Sequence, residues 1–163
     1  MSEISVKNIL IEVGSMKWAA DNRATEQLAE LLDGISPEQA QRHLSGDLFS
    51  IEEVLKHLTH WKAYYTHFIN GDPVDELGPR LPDDGSAPEN MPGWPEIITE
   101  LERVERNWIA AVKSVSEERL TETHPQNRFG LDIARVIALM GLHDAYHIGQ
   151  IYAIKSMLSA TQL

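Results

Sequence analysis

A chain of 163 residues with 25 acidic against 14 basic side chains, a formal charge of −11 and no cysteine has the size of one domain, burying roughly 70% of its unfolded surface. The missing thiols exclude disulfides, thiolate ligands and a cysteine nucleophile, leaving His, Asp and Glu as the strong metal ligands. The negative field repels phosphate backbones and anionic lipid, no run reaches the ~18 apolar residues of a membrane span, and no signal-peptide pattern opens the chain. We therefore expect a single soluble, cytoplasmic domain over 1–163, with no nucleic-acid or membrane partner.

The first segment with helical apolar periodicity runs from about Val6 to Leu32 through Ile9, Val13, Met16, Ala20, Leu28 and Leu31, and Gly34 stops it. Its middle, Trp18 to Arg23, is polar for a core helix. Ser36-Pro37-Glu38 places an N-cap and a first-turn proline, which predicts a short helical turn. The second long helix begins at Ser50, where Ser-Ile-Glu-Glu53 forms a capping box, and continues to about Asn70 before Gly71-Asp72-Pro73. Its apolar stripe is Ile51, Val54, Leu55, Leu58, Trp61, Tyr65 and Phe68.

From Gly71 to Pro92 the chain is rich in proline and glycine and has no periodicity. A connection of that length is either mobile or functional, and a lid over a site is one use for it. The third helix spans about Trp94 to Ser114, with Pro95 in its first turn, Ile97, Leu101, Val104, Trp108 and Ala111 on one side, and a charged, solvent-facing other side. The fourth begins near Leu131 and reaches Leu158. No strand-like alternation of useful length occurs. The pattern predicts an all-α fold, an antiparallel four-helix bundle with the long Pro/Gly-rich loop joining helices two and three.

Seven histidines are present. At about 100° per residue, His143 and His147 fall within the stripe of Val136, Met140, Ile151 and Ile154, and so face the interior. Imidazoles in an apolar core need partners for their nitrogens. Two readings stay open on spacing alone: a pair hydrogen-bonded to carbonyls, Asp144, Gln150 or tyrosine hydroxyls, or a pair of ligands one turn apart on one ion. On the second helix His57 lies at the flank of the apolar face beside Trp61 and Tyr64. His60 and His67 point further outward and read as solvated, and His43 and His124 sit by loop-forming residues.

Three stretches carry a family likeness: Lys17-Trp18-Ala-Ala-Asp21-Asn22-Arg23, Ser50-Ile-Glu-Glu-Val-Leu-Lys-His57-Leu, and His143-Asp-Ala-Tyr-His147-Ile-Gly149-Gln150-Ile. Together they resemble the DinB/YfiT-like superfamily of metal-binding four-helix proteins, over about Lys17 to Leu158. The resemblance implies that His57, His143 and His147 bind one divalent metal ion, zinc or nickel, the same three residues that the helical angles select. It also implies a homodimer, an external low-molecular-weight thiol, and a small-molecule electrophile as the other substrate.

Three neutral imidazoles leave an open coordination position, as catalytic sites do. Together with that open position, the resemblance implies a thiol-dependent S-transferase or a metal-assisted hydrolase. A non-catalytic metal-binding or structural protein is the alternative. Metal-bound imidazole has no free lone pair, so a base or a positioning group must come from elsewhere. Asp144, Gln150, Tyr64, Tyr146 and Asp21 are the candidates.

Overall fold

A computed structural model describes residues 5–14, 23–44, 48–72, 91–124 and 130–160. The described chain is all-helical: α1 (Val6–Gly14), α2 (Arg23–Leu32), α3 (Pro37–Ala40), α4 (Ile51–Asn70), α5 (Glu96–Ser114), a 3-10 turn (Glu118–Thr121) and α6 (Ile133–Ala160). The one non-helical pairing among these residues is an isolated bridge between Thr123 and Asp132. Among the described residues no helix is long and apolar enough to cross a membrane. The two ends of the first predicted segment are α1 and α2. Its polar middle, with Trp18 and Asp21, lies outside the described residues, as does most of the Gly71 to Pro92 loop.

Local chemistry sets the helix ends. Ser50 Oγ accepts from the Glu53 N–H at 3.3 Å, and Glu53 Oε2 accepts from the Ser50 N–H at 2.7 Å, so the predicted capping box is present. Gly71 closes α4 at φ 79°, a left-handed conformation that costs a residue with a Cβ. Ser36 and Gln39 build a second such box at the start of α3. Two predicted starts shift. Pro95 is the cap of α5 rather than part of its first turn. Asp132 Oδ1 accepts from the Arg135 N–H at 2.8 Å and caps α6, so that helix opens at Ile133 instead of Leu131.

Helix α4 packs along α5, and α6 lies against α1 and α4 and touches α2. Two apolar clusters result. One gathers Phe68, Ile69, Trp108, Val112, Ile137 and Met140. The other gathers Leu28, Leu55, Ile97, Leu101, Ile151 and Ile154. Between them each of the three long helices contributes one charged residue, Lys62, Glu105 and Asp144, all buried. The charged side of α5 was expected to face solvent throughout, and Glu105 is the exception. Polar tethers tie the elements together. Buried Glu52 accepts from Gln41, Lys56 and the Trp94 N–H, and Lys155 donates to the carbonyls of Leu31 and Asp33 at the end of α2.

Gly141 lets α1 approach α6. A Cβ built there would stand 2.5 Å from the Val13 carbonyl oxygen and 2.9 Å from Val13 Cγ1. Alanine at an unobstructed helical glycine gains about 1 kcal/mol, whereas overpacking against fixed backbone costs about 1–3 kcal/mol. Gly141→Ala is therefore expected to lower the melting temperature by roughly 2–4 °C in a thermal melt followed by circular dichroism. A higher melting temperature would mean that α1 does not sit against α6 in this way.

Candidate metal centre

Helix α4 brings His57, and α6 brings His143 and His147, to one place. The Nε2 atoms of His57 and His143 are 3.0 Å apart. Ring centroids are separated by 5.1 Å for His57 and His143, 4.7 Å for His57 and His147, and 4.4 Å for His143 and His147. One nitrogen from each ring lies within 4.8 Å of the other two. Among the described residues no carboxylate joins this group.

The donor chemistry fits a cation. Metal–nitrogen bonds of about 2.0–2.1 Å place two nitrogens of one coordination shell roughly 3 Å apart, close to the His57–His143 separation. Gln150 Oε1 accepts from His147 Nδ1–H at 2.9 Å, which fixes the proton on Nδ1 and leaves the Nε2 lone pair for a ligand role. Two neutral rings can share one proton between them, but a third lone pair converging on the same point has no proton to accept. A cation satisfies all three.

Burial keeps His143 and His147 neutral. Burial, with the neighbouring charges of His147, His57 and Lys62, pushes His143 down to about 3. His147 is also lowered, chiefly by burial, against the raising effect of Gln150. His60 is pushed down to about 4 by burial and by His57. The expectation that His60 is a solvated histidine is thus corrected, because it is half-buried and its ring packs edge-on against Trp61 with centroids 5.8 Å apart.

The remaining candidates separate. Gln150 is in the site. Asp144 follows His143 in sequence, yet its side chain is 1% exposed and points to Lys62 Nζ at 2.6 Å. Asp144 is therefore neither at the surface nor among the ring partners. Lys62 also donates to Glu105. Burial alone would lower the Lys62 ammonium, but Asp144 and Glu105 together raise it above its ordinary value. Burial lifts Asp144 to about 6, against the pull of Lys62 and with the help of Glu105.

Tyr64 is half-buried against Trp61, with centroids 5.6 Å apart. Tyr146 is exposed, its ring edge-on to His147 at 4.9 Å. Asp21 lies outside the described residues. Trp61 stands edge-on to His57, with centroids 6.3 Å apart, and walls that side of the centre. His67 pairs with Asp72 at 3.2 Å, His43 Nδ1–H donates to the Leu48 carbonyl at 2.8 Å, and His124 packs on Phe68. None of these joins the cluster.

The depressed histidines give the metal-free protein a signed pH dependence. Their folded pKa values lie below the unfolded value of about 6.5, so the unfolded chain binds more protons below that pH. The stability is full above about 6.5 and is lost as pH falls toward the folded values of His60 and His143. Asp144, raised to about 6, acts oppositely between about 4 and 6, but it is one group against three. Urea denaturation of metal-free protein should therefore show lower stability at pH 5 than at pH 7. A flat profile would contradict the burial of these rings.

An all-helical chain that brings three histidines from two helices within reach of one ion has the make-up of a helical metal-binding protein. The family model for the DinB superfamily matches residues 20–151, and the chain belongs to that superfamily. No curated protein and no solved structure matches it.

Proposed function

We propose that the protein is a metal-dependent enzyme of the DinB superfamily, in which His57, His143 and His147 hold one divalent ion, zinc or nickel, and the reaction is a thiol-dependent S-transfer or a metal-assisted hydrolysis. The observation that carries this reading is the convergence of three imidazole nitrogens with, among the described residues, no carboxylate in the group. Three protein ligands leave at least one position for a small molecule. When bound, the ion supplies Lewis acidity toward a thiol or water.

The chain's own residues perform the rest. The three rings present ring nitrogens to one point, and burial keeps those of His143 and His147 free of protons near neutral pH. Gln150 holds the His147 proton on the far nitrogen and orients that ring. Trp61 excludes solvent on the His57 side. Asp144 is occupied by Lys62, so it does not serve as the base on the histidine side, and a thiol or water brought to the centre loses its proton to solvent or to a substrate group.

Two architectural readings go with this proposal. The first is the antiparallel four-helix bundle, for which the packing of α4 along α5 and of α6 against α1 and α4 is the support. A homodimer is supported by α6, where Leu139, Leu142, Tyr146 and Met157 are 40–69% exposed on an otherwise packed helix. Apolar residues at such spacing suit a second helix.

The reaction is tested by screening metal-loaded protein with small thiols against alkyl electrophiles and with activated esters. Turnover is expected to need the metal and to fall at least about 100-fold in His147→Ala with folding retained. The cobalt-substituted protein should change its visible spectrum when a thiol is added. A spectrum indifferent to every small ligand would indicate a closed shell and a non-catalytic role.

A further inference from the structure

A cavity of about 260 Å³ lies among α2, α4, α5 and α6. None of the three histidines lines it. Its walls are mainly aliphatic, with Leu28 and Leu32 from α2, Leu58 from α4, Ile98 and Leu101 from α5, and Ile148 from α6. Glu102 and Arg106, both exposed, stand at the rim and oppose each other in charge. The cavity exceeds the ~150 Å³ that suffices for a small hydrocarbon.

Lys62, Glu105 and Asp144 also line it, and they decide its chemistry. Two carboxylates share one ammonium, so the group carries one uncompensated negative charge in a region of low dielectric. Glu105 Oε1 and Asp144 Oδ1 are both buried and, among the described residues, have no hydrogen-bond partner. An unmet buried acceptor is costly. Both oxygens are shielded by neighbouring atoms, but the terminal torsion of a carboxylate is soft. Binding a donor in the cavity would use such a rotation of the Glu105 carboxylate, which lines the wall. A cation with several N–H donors and an aliphatic body matches the charge, the acceptors and the walls at once.

We propose that this cavity is a binding site for a small primary alkylammonium compound, separate from the histidine centre, with the ammonium group toward Glu105 and Asp144 and the alkyl chain against the leucines and isoleucines of α2, α5 and α6. An anion of the same shape is disfavoured by the uncompensated charge, and a neutral alcohol offers too few donors and no charge.

The test uses the intact chain with isoleucine methyl groups labelled for NMR, at pH 7, with n-hexylammonium, n-hexanol and hexanoate as probes. The methyls of Ile98, Ile109 and Ile148 line the cavity. They are expected to shift saturably with n-hexylammonium, while those of Ile51 and Ile133 stay still, and hexanol and hexanoate should bind at least tenfold more weakly. The titration should give the same result with metal bound and with metal removed, because the site does not use the ion. Glu105→Gln should weaken n-hexylammonium at least tenfold, and if that variant fails to fold the wild-type titration still decides. The proposal is overturned by no saturable shift, by equal binding of hexanol or hexanoate, or by binding that disappears when the metal is stripped, which would put the amine on the ion.

Discussion

His143→Ala is expected to reduce the affinity for zinc or nickel by at least about 100-fold. Structural four-ligand zinc sites bind with apparent free energies of roughly 10–16 kcal/mol, or about 3 kcal/mol per ligand, and each 1.4 kcal/mol is a factor of ten. The ring has a second distinguishing property. Its Nδ1 is buried without a partner among the described residues, so in the metal-free protein His143 is a costly group. The variant should therefore lose the rise in melting temperature that metal gives the wild type, while the acid limb of its metal-free stability curve flattens, since a strongly depressed histidine has been removed. Calorimetric titration and urea denaturation at pH 5 and pH 7 check both parts. If the three rings were merely a hydrogen-bonded core pair with a neighbour, metal titration of the wild type would show nothing to lose.

The largest stability effect is expected at Lys62. Its ammonium is 1% exposed and lies between Glu105 and Asp144, which are also buried. Lys62→Met keeps the aliphatic stem but leaves two carboxylates facing each other without a counter-charge. Breaking a buried ion group by removing one member costs about 3–5 kcal/mol, and we expect that loss in urea denaturation at pH 7. Replacing all three by apolar residues, Lys62→Met with Glu105→Leu and Asp144→Leu, should recover most of it, since such exchanges are often neutral or stabilising. A loss under about 1 kcal/mol for Lys62→Met would mean that the two carboxylates are relieved without Lys62, by a proton or by water from the adjoining cavity.

The layer also shows where the sequence was legible and where it was not. Periodicity and capping located α4 and α6 because each rule acts within a few residues. Ser50 needs only Glu53, and Gly71 needs only its own φ. Angular counting chose His57, His143 and His147 because direction on a helix is a local property, and they lie together in the fold. Asp144 reads from sequence as a ring partner or positioning group because a lone carboxylate in an apolar stripe has no visible partner in sequence. Its partner is 82 positions away on another helix. A signal did exist. Lys62 continues the Leu58 to Tyr65 stripe, Glu105 interrupts the Leu101 to Trp108 stripe, and Asp144 follows Met140, so each of three apolar faces carries one charge at its middle. Buried charges of opposite sign in three stripes call for each other, although neither the cavity beside them nor the approach of α1 at Gly141 can be counted from spacing.

The most direct test of the metal centre is X-ray absorption fine structure on protein loaded with one equivalent of zinc or nickel. We predict three imidazole ligands with metal–nitrogen distances of about 2.0–2.1 Å, together with at least one light atom or sulfur that exchanges when a thiol is added. A shell with one imidazole or none, or one made of carboxylate oxygens, would contradict it.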